Sequence, residues 1–244
     1  MRATILASSL ICSLAAFGQD AAKPDLTAED IIEKSIQASG GRDAMMKMTS
    51  LAAKGSMEIV AMGGTAATEM YAKAPDKRLN ITTVEGYGEV KQGYDGKIAW
   101  SSEPQNGLVD ISGDQLSATR RESQFNAELR WKDLYKSAAV TGKEKAGDRD
   151  CWAVKFTPAE GKPINRCYDA ETFLVDKVIT SVVSPEGPAE VSVLLSDYRD
   201  IGNGTKQPYT LKITMPGIGD LITKYKEYLY NVDLDDAKFA KPKN

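Results

Sequence analysis

Hydrophobic and polar residues alternate along much of the chain after residue 50. The clearest stretch is 209–215 (YTLKITM), and shorter runs with the same period occur at 57–59 and 79–82. A period of two indicates β-strands with one buried face. Turn residues such as the Asp95-Gly96 pair separate these runs, so we predict an antiparallel sheet in which consecutive strands are neighbours. Leu79, Ile81, Leu211 and Ile213 are expected to face its interior.

Helical patterns interrupt the strands at two places. Thr27 and Asp30 have the spacing of a helix N-cap, and the apolar helix that follows is expected to stop at Gly40, before a second short helix over 42–48. Residues 115–137 carry scattered apolar positions among many charges, which predicts one or two amphipathic helices. The sequence therefore indicates the α+β class, with helices covering one face of a curved sheet.

The first 18 residues have the features of a secretory signal peptide. Arg2 is followed by an uncharged apolar run, and Ala16 and Gly18 supply the small residues that a signal peptidase recognises. We predict cleavage after Gly18, a flexible leader over 19–26, and a single periplasmic domain over 27–244. An uncleaved membrane anchor is the alternative, but the run is short for a membrane span.

Cys151 and Cys167 are the two cysteines that remain after the predicted cleavage. The residues between them read as a hairpin centred near Glu160, which would place the cysteines opposite each other. A structural disulfide is therefore expected in an oxidising compartment. A redox pair is the alternative, but the spacing is not CxxC.

The composition excludes several classes of function. The 244-residue chain contains no histidine, which removes the usual general base and the Ser-His and Cys-His nucleophile pairs. We therefore expect no enzyme activity, no metal and no cofactor. The net charge of −3 comes from interspersed charges, so no nucleic-acid partner is expected.

Four short segments carry a resemblance to a known family. They are 71–78 (YAKAPDKR), 95–100 (DGKIAW), 168–174 (YDAETFL) and 235–239 (DDAKF). Their order resembles the LolA-like lipoprotein carriers and related periplasmic lipid-binding proteins. The resemblance implies a strongly curved, unclosed antiparallel β-barrel, with helices as a lid over an apolar cavity for acyl chains. Lipoprotein carriers have an arginine directly before the proline of the first segment, where this chain has Ala74. The resemblance therefore leaves both a lipid and a lipoprotein as the expected cargo.

The alternation in the strands and the helical segment over 115–137, which needs a surface to cover, indicate which side chains would face a ligand in this cavity. The predicted cavity wall consists of Met57, Ile59, Met70, Leu79, Ile81 and Trp100. The predicted lid consists of Leu116, Phe125 and Leu129. Methionines at such positions either fill an irregular core or line an adaptable binding surface.

The predicted function is that of a monomeric carrier or sensor for a lipid or a lipoprotein acyl chain, with transient contacts to envelope membranes or their proteins. The alternative is a non-catalytic structural or interaction module of the envelope whose barrel is filled by side chains.

Overall fold

The computed structural model describes residues 26–184 and 187–243. The predicted signal peptide and residues 19–25 of the leader lie outside this part. Leu26, expected in the flexible leader, packs against a buried cluster. The helices are α1 (Ala28–Ala38), α2 (Arg42–Met46), α3 (Gly113–Glu122) and α4 (Trp131–Leu134), with 3-10 turns at Val60–Met62, Ala127–Arg130 and Asp236–Lys238. Among the described residues, no helix is long and apolar enough to cross a membrane.

In the described part of the chain, thirteen strands form one antiparallel sheet. They are β1 (Ser50–Ile59), β2 (Gly64–Lys73), β3 (Lys77–Val84), β4 (Gly88–Tyr94), β5 (Ala99–Glu103), β6 (Gly107–Asp110), β7 (Tyr135–Ala146), β8 (Arg149–Pro158), β9 (Ile164–Asp169), β10 (Val175–Ser184), β11 (Gly187–Asp200), β12 (Lys206–Met215) and β13 (Gly219–Tyr230). Their spatial order is β6-β5-β4-β3-β2-β1-β13-β12-β11-β10-β9-β8-β7. The sheet is not closed, because the edge strands β6 and β7 do not pair. The predicted antiparallel α+β fold with an open barrel is confirmed.

The helices lie on one face of the sheet, which we call the helix face. Thr27 caps α1: its Oγ1 accepts a hydrogen bond from the Asp30 backbone N–H at 3.1 Å, and its own N–H donates to Asp30 Oδ2 at 2.9 Å. Ile31, Ile32 and Ile36 of α1 are fully buried. They pack against side chains of β7, β8 and β9, so α1 fills the helix face of this end of the sheet.

The segment after β13 covers the opposite face, which we call the tail face. Leu234 and Phe239 pack there against Leu79 and Trp100. The Trp100 indole Nε1–H donates to the Phe239 carbonyl at 3.0 Å. Asp236 forms ion pairs with lysines of β2 and β3, and hydrogen bonds from these lysines lower its pKa to about 2.

The DGKIAW segment forms the turn between β4 and β5. Asp95 Oδ1 accepts hydrogen bonds from the backbone N–H groups of Lys97 and Ile98 at 2.8 and 2.7 Å, and Gly96 has a φ of 95° that favours glycine. The turn places Trp100 on the tail face, where its ring lies over Gly93. A Cβ atom at Gly93 would stand 2.4 Å from that ring, so glycine is required there.

A disulfide joins Cys151 and Cys167 on the tail face, as predicted. The two cysteines are not directly opposite, because Cys151 pairs with Asp169 and Cys167 with Ala153. They are diagonal neighbours, whose 5.4 Å Cα separation suits a disulfide.

The helical prediction for residues 115–137 holds only in part. α3 begins at Gly113, but a 3-10 turn and the single-turn α4 follow it, and residues 135–137 already belong to β7. Tyr135 ends the helical stretch because its ring packs against Phe156 of the neighbouring strand, with ring centroids 4.9 Å apart.

Candidate apolar binding site

An incompletely covered apolar surface lies on the helix face of β1, β11, β12 and β13. Residues directly opposite in an antiparallel ladder point to the same face. One row of paired residues runs through Leu195, Leu211, Thr223 and Met57, and the next row runs through Val193, Ile213, Leu221 and Ile59. We call the apolar members of these rows the apolar wall: Met57, Ile59, Val193, Leu195, Leu211, Ile213 and Leu221.

The wall side chains differ from the core side chains of the same sheet. Each is only partly buried, and none belongs to the buried clusters of the described residues. The strands supply them by simple alternation: Lys212 and Thr214 point to the tail face and leave Leu211 and Ile213 inside. A contiguous inner surface of branched and thioether side chains is therefore available to an apolar guest.

The segment between β6 and β7 lies across the helix face. Arg78 of β3 donates to the Glu122 carbonyl at the end of α3 at 3.2 Å, and Arg121 donates to the Glu160 carbonyl between β8 and β9 at 2.7 Å. The segment thus contacts both halves of the sheet. It reaches from β3 to the β8–β9 turn and leaves the side chains of the apolar wall between them only partly buried.

Phe125 covers the end of the helix face opposite to the exposed wall rows. Its backbone N–H donates to the Pro75 carbonyl at 2.9 Å. Its ring packs against a buried cluster that includes Met48, Met70 and Tyr209. This packing explains why Met70 is buried while Met57, on the neighbouring strand, stays partly accessible.

Buried polar groups lie next to the wall under α1. Arg166 of β9 approaches Glu128 of the 3-10 turn at 4.0 Å, and Ser35 Oγ donates to Glu128 Oε1 at 3.3 Å. The Arg166 guanidinium also lies 4.9 Å from the Phe156 ring centroid. Burial raises the pKa of Glu128, although Arg166 opposes the shift. Burial likewise raises the pKa of the Tyr168 hydroxyl.

The structure brings together only part of the predicted cavity. Met57 and Ile59 belong to the apolar wall, and Met70 lies on the same face beneath Phe125. Leu129 packs in the α1 cluster, and Leu116 packs at the far edge with Tyr94, Ala99 and Ile111. The predicted lid residues are therefore in three separate clusters on the helix face.

The other three predicted wall residues lie on the opposite face. Leu79 pairs with Tyr71 and with Gly93, and Gly93 pairs with Trp100; this row and Ile81 belong to the cluster beneath the C-terminal tail. The expectation that Leu79 and Ile81 share a face with Leu211 and Ile213 is wrong. The helix face of β3 instead carries Asn80, which lines a small polar hollow of about 60 Å³ beside α3.

Several residues of the site were missed by the sequence analysis. Val193 and Leu195 stand beside Leu194, and this consecutive apolar run hides the alternation. Arg166 could have been recognised from the sequence, because it alternates with Ile164 and Tyr168 at the inward positions of a hairpin strand. An arginine among inward apolar positions indicates a buried positive charge, which requires an acidic partner or a ligand.

Comparison with solved structures identifies the fold. A DUF1329 family protein from Desulfovibrio piger is 17% identical, with a TM-score of 0.60 over 87% of this chain and 97% of that chain. A putative outer membrane lipoprotein-sorting protein domain from Vibrio parahaemolyticus is 15% identical, with a TM-score of 0.60 over 88% and 97%. A LolA superfamily protein from Nitrosomonas europaea is 14% identical, with a TM-score of 0.57 over 88% and 98%. The chain has a LolA-like fold.

The LolA-like fold confirms the resemblance carried by the four short segments. No protein-family model matches the chain, and no curated protein matches it significantly. At these identities the comparison establishes the LolA-like architecture, and the function rests on the geometry of the site.

Proposed function

We propose that this protein is a periplasmic carrier or sensor that binds the acyl chain of a lipid or lipoprotein on its apolar wall and performs no chemistry on it. The observation that carries the proposal is the partly exposed apolar surface of β1, β11, β12 and β13 on the inner face of an open sheet. Soluble proteins rarely leave such a surface without a partner.

The energetics favour a chain-like ligand. Each methylene removed from water contributes about 0.8 kcal/mol, so eight buried methylenes would contribute about 6 kcal/mol before the entropy cost of binding. Flexible Met57 and the branched Leu211 adapt to a chain without a specific polar contact. The absence of histidine from the sequence supports binding over catalysis.

The localisation and partners follow from other features. The signal-like N-terminus and the Cys151–Cys167 disulfide support an exported, periplasmic protein. Val60, Met62 and Ile218 lie on two neighbouring hairpin tips and are 45%, 79% and 49% exposed. We call these three residues the apolar rim, and we propose that it makes the transient contacts of a monomer with envelope membranes.

A structural module with a filled barrel is the second candidate. It is favoured by the β7–β9 end of the sheet, where Val154, Phe156 and Tyr168 are completely buried under α1. The apolar wall is the part of the interior that this candidate leaves unexplained.

Binding of a fluorescent fatty acid to delipidated protein separates the two candidates. Leu211→Gln should weaken binding about tenfold, because it places an amide in the apolar wall. Lys212→Gln is the matched control, since the neighbouring side chain points to the tail face and its replacement should leave affinity unchanged. Failure of the unmodified protein to bind would favour the structural module, whereas equal affinity of both variants would contradict binding on the apolar wall.

A further inference from the structure

A basic side chain lies in the same row as the apolar wall. Arg166 pairs with Val178, and Val178 pairs with Val193 of the wall, so all three point to the helix face. Two strand spacings separate Arg166 from Val193, which is about 10 Å between backbones. A long side chain in this row can reach the end of a ligand that lies on the wall.

The polar groups at this position have unused hydrogen-bonding capacity. The Arg166 guanidinium lies beside the Tyr168 hydroxyl. Its nearest carboxylate oxygen, Glu128 Oε1, is 4.0 Å away, and the rings of Tyr135 and Phe156 pack against it. Tyr168, on the same inward face of β9, is 0% exposed; its hydroxyl lies between Arg166 and Glu128 but makes no hydrogen bond of good geometry to any described residue. Buried donors are normally satisfied, so each needs an explanation.

We propose that Arg166 and Tyr168 bind the carboxylate head of a single-chain lipid whose tail lies along the apolar wall. The inference rests on the proposed function, which it deepens by assigning the head group. A planar guanidinium matches a carboxylate with two parallel N–H donors, and a phenolic O–H adds a third. Both side chains project from one strand, two residues apart, and thus from the same face.

Glu128 is the internal competitor for Arg166. Its carboxylate is the acidic group nearest to the guanidinium, yet at 4.0 Å it stands beyond hydrogen-bonding distance. A ligand carboxylate can approach closer, because it is not tied to the backbone of the 3-10 turn or to Ser35. Removing the negative charge of Glu128 should therefore strengthen binding of an anionic lipid.

The test compares head groups on one chain length. Calorimetry at pH 8 with palmitate, hexadecanol and hexadecyl phosphate, each below its micelle concentration, should show palmitate bound at least tenfold tighter than hexadecanol. Tighter binding of the phosphate than of palmitate would overturn the carboxylate assignment. Equal affinity for palmitate and hexadecanol would overturn the head-group site while leaving the proposed function intact, whereas failure of all three to bind would refute the proposed function itself.

Variants locate the site. Arg166→Met should abolish the preference for palmitate over hexadecanol, Tyr168→Phe should reduce it about threefold, and Glu128→Gln should increase palmitate affinity. Arg199→Gln removes an exposed guanidinium and is the matched control that should change nothing. Retention of the preference in a folded Arg166→Met protein would refute the assignment, and the head-group comparison on the unmodified protein stays decisive if that variant does not fold.

Discussion

Replacement of Phe239 by alanine should destabilise the protein without weakening ligand binding. Phe239 is 0% exposed and packs against Trp100 and Leu79 on the tail face. Deletion of a fully buried phenylalanine ring costs about 3 to 5 kcal/mol, from lost transfer free energy and the cavity left behind. The backbone carbonyl that accepts the Trp100 hydrogen bond is kept, so the loss should come from packing alone.

Urea unfolding, followed by Trp fluorescence, measures this cost, and titration of the same variant with a fatty acid measures binding. Lys238→Ala is the control: the exposed ammonium lies over the Tyr71 ring at 3.8 Å, a contact worth about 1 kcal/mol or less. A loss below about 1 kcal/mol for Phe239→Ala would refute the packing argument. A folded Phe239→Ala protein that no longer binds fatty acid would place the ligand on the tail face, beside Trp100.

Three further predictions concern pH, the disulfide and the rim. Burial raises the pKa of Asp176 to about 7, above its unfolded value near 3.9, although Arg149 opposes the shift. The contribution of this carboxyl group to stability is therefore fully present below about pH 4 and is lost as the pH rises from there through 7. Urea unfolding at pH 5 and pH 8 should show a smaller loss of unfolding free energy between the two pH values for Asp176→Asn than for the unmodified protein, and an equal loss would contradict the assignment. The double replacement Cys151→Ser and Cys167→Ser should cost about 3 kcal/mol, and thiol titration of the denatured, non-reduced protein should find neither cysteine free; two free thiols would contradict the export argument. Met62→Ser should slow fatty-acid transfer to vesicles while leaving affinity unchanged, and an unaltered rate would remove the membrane role of the apolar rim.

The features that could be predicted from the sequence are local ones. Asp95 and Asp235 each accept a hydrogen bond from a backbone N–H two residues further on, so turns at these positions follow from adjacent residues. The same holds for the N-cap at Thr27. The four segments that carry the LolA-like resemblance include such turns, which explains why they indicated the scaffold.

The choice of face could not be predicted for every strand. Alternation divides a strand into two faces but does not say which face is covered by the rest of the chain. In β12, Leu211 faces the helices; in β3, Leu79 faces a tail that follows β13. The helix face of β3 is polar because Asn80 and Arg78 meet α3 there, and this contact depends on a segment far away in the chain.

Photo-cross-linking of a diazirine-labelled fatty acid, with the modified residues located by mass spectrometry, would show where the acyl chain lies on the protein. We expect labels on the wall strands, at Met57 of β1, Leu195 of β11 and Leu211 of β12, and a loss of labelling when unlabelled palmitate competes. Labels confined to the tail face, near Leu79 and Trp100, or labelling that palmitate does not reduce, would contradict this expectation.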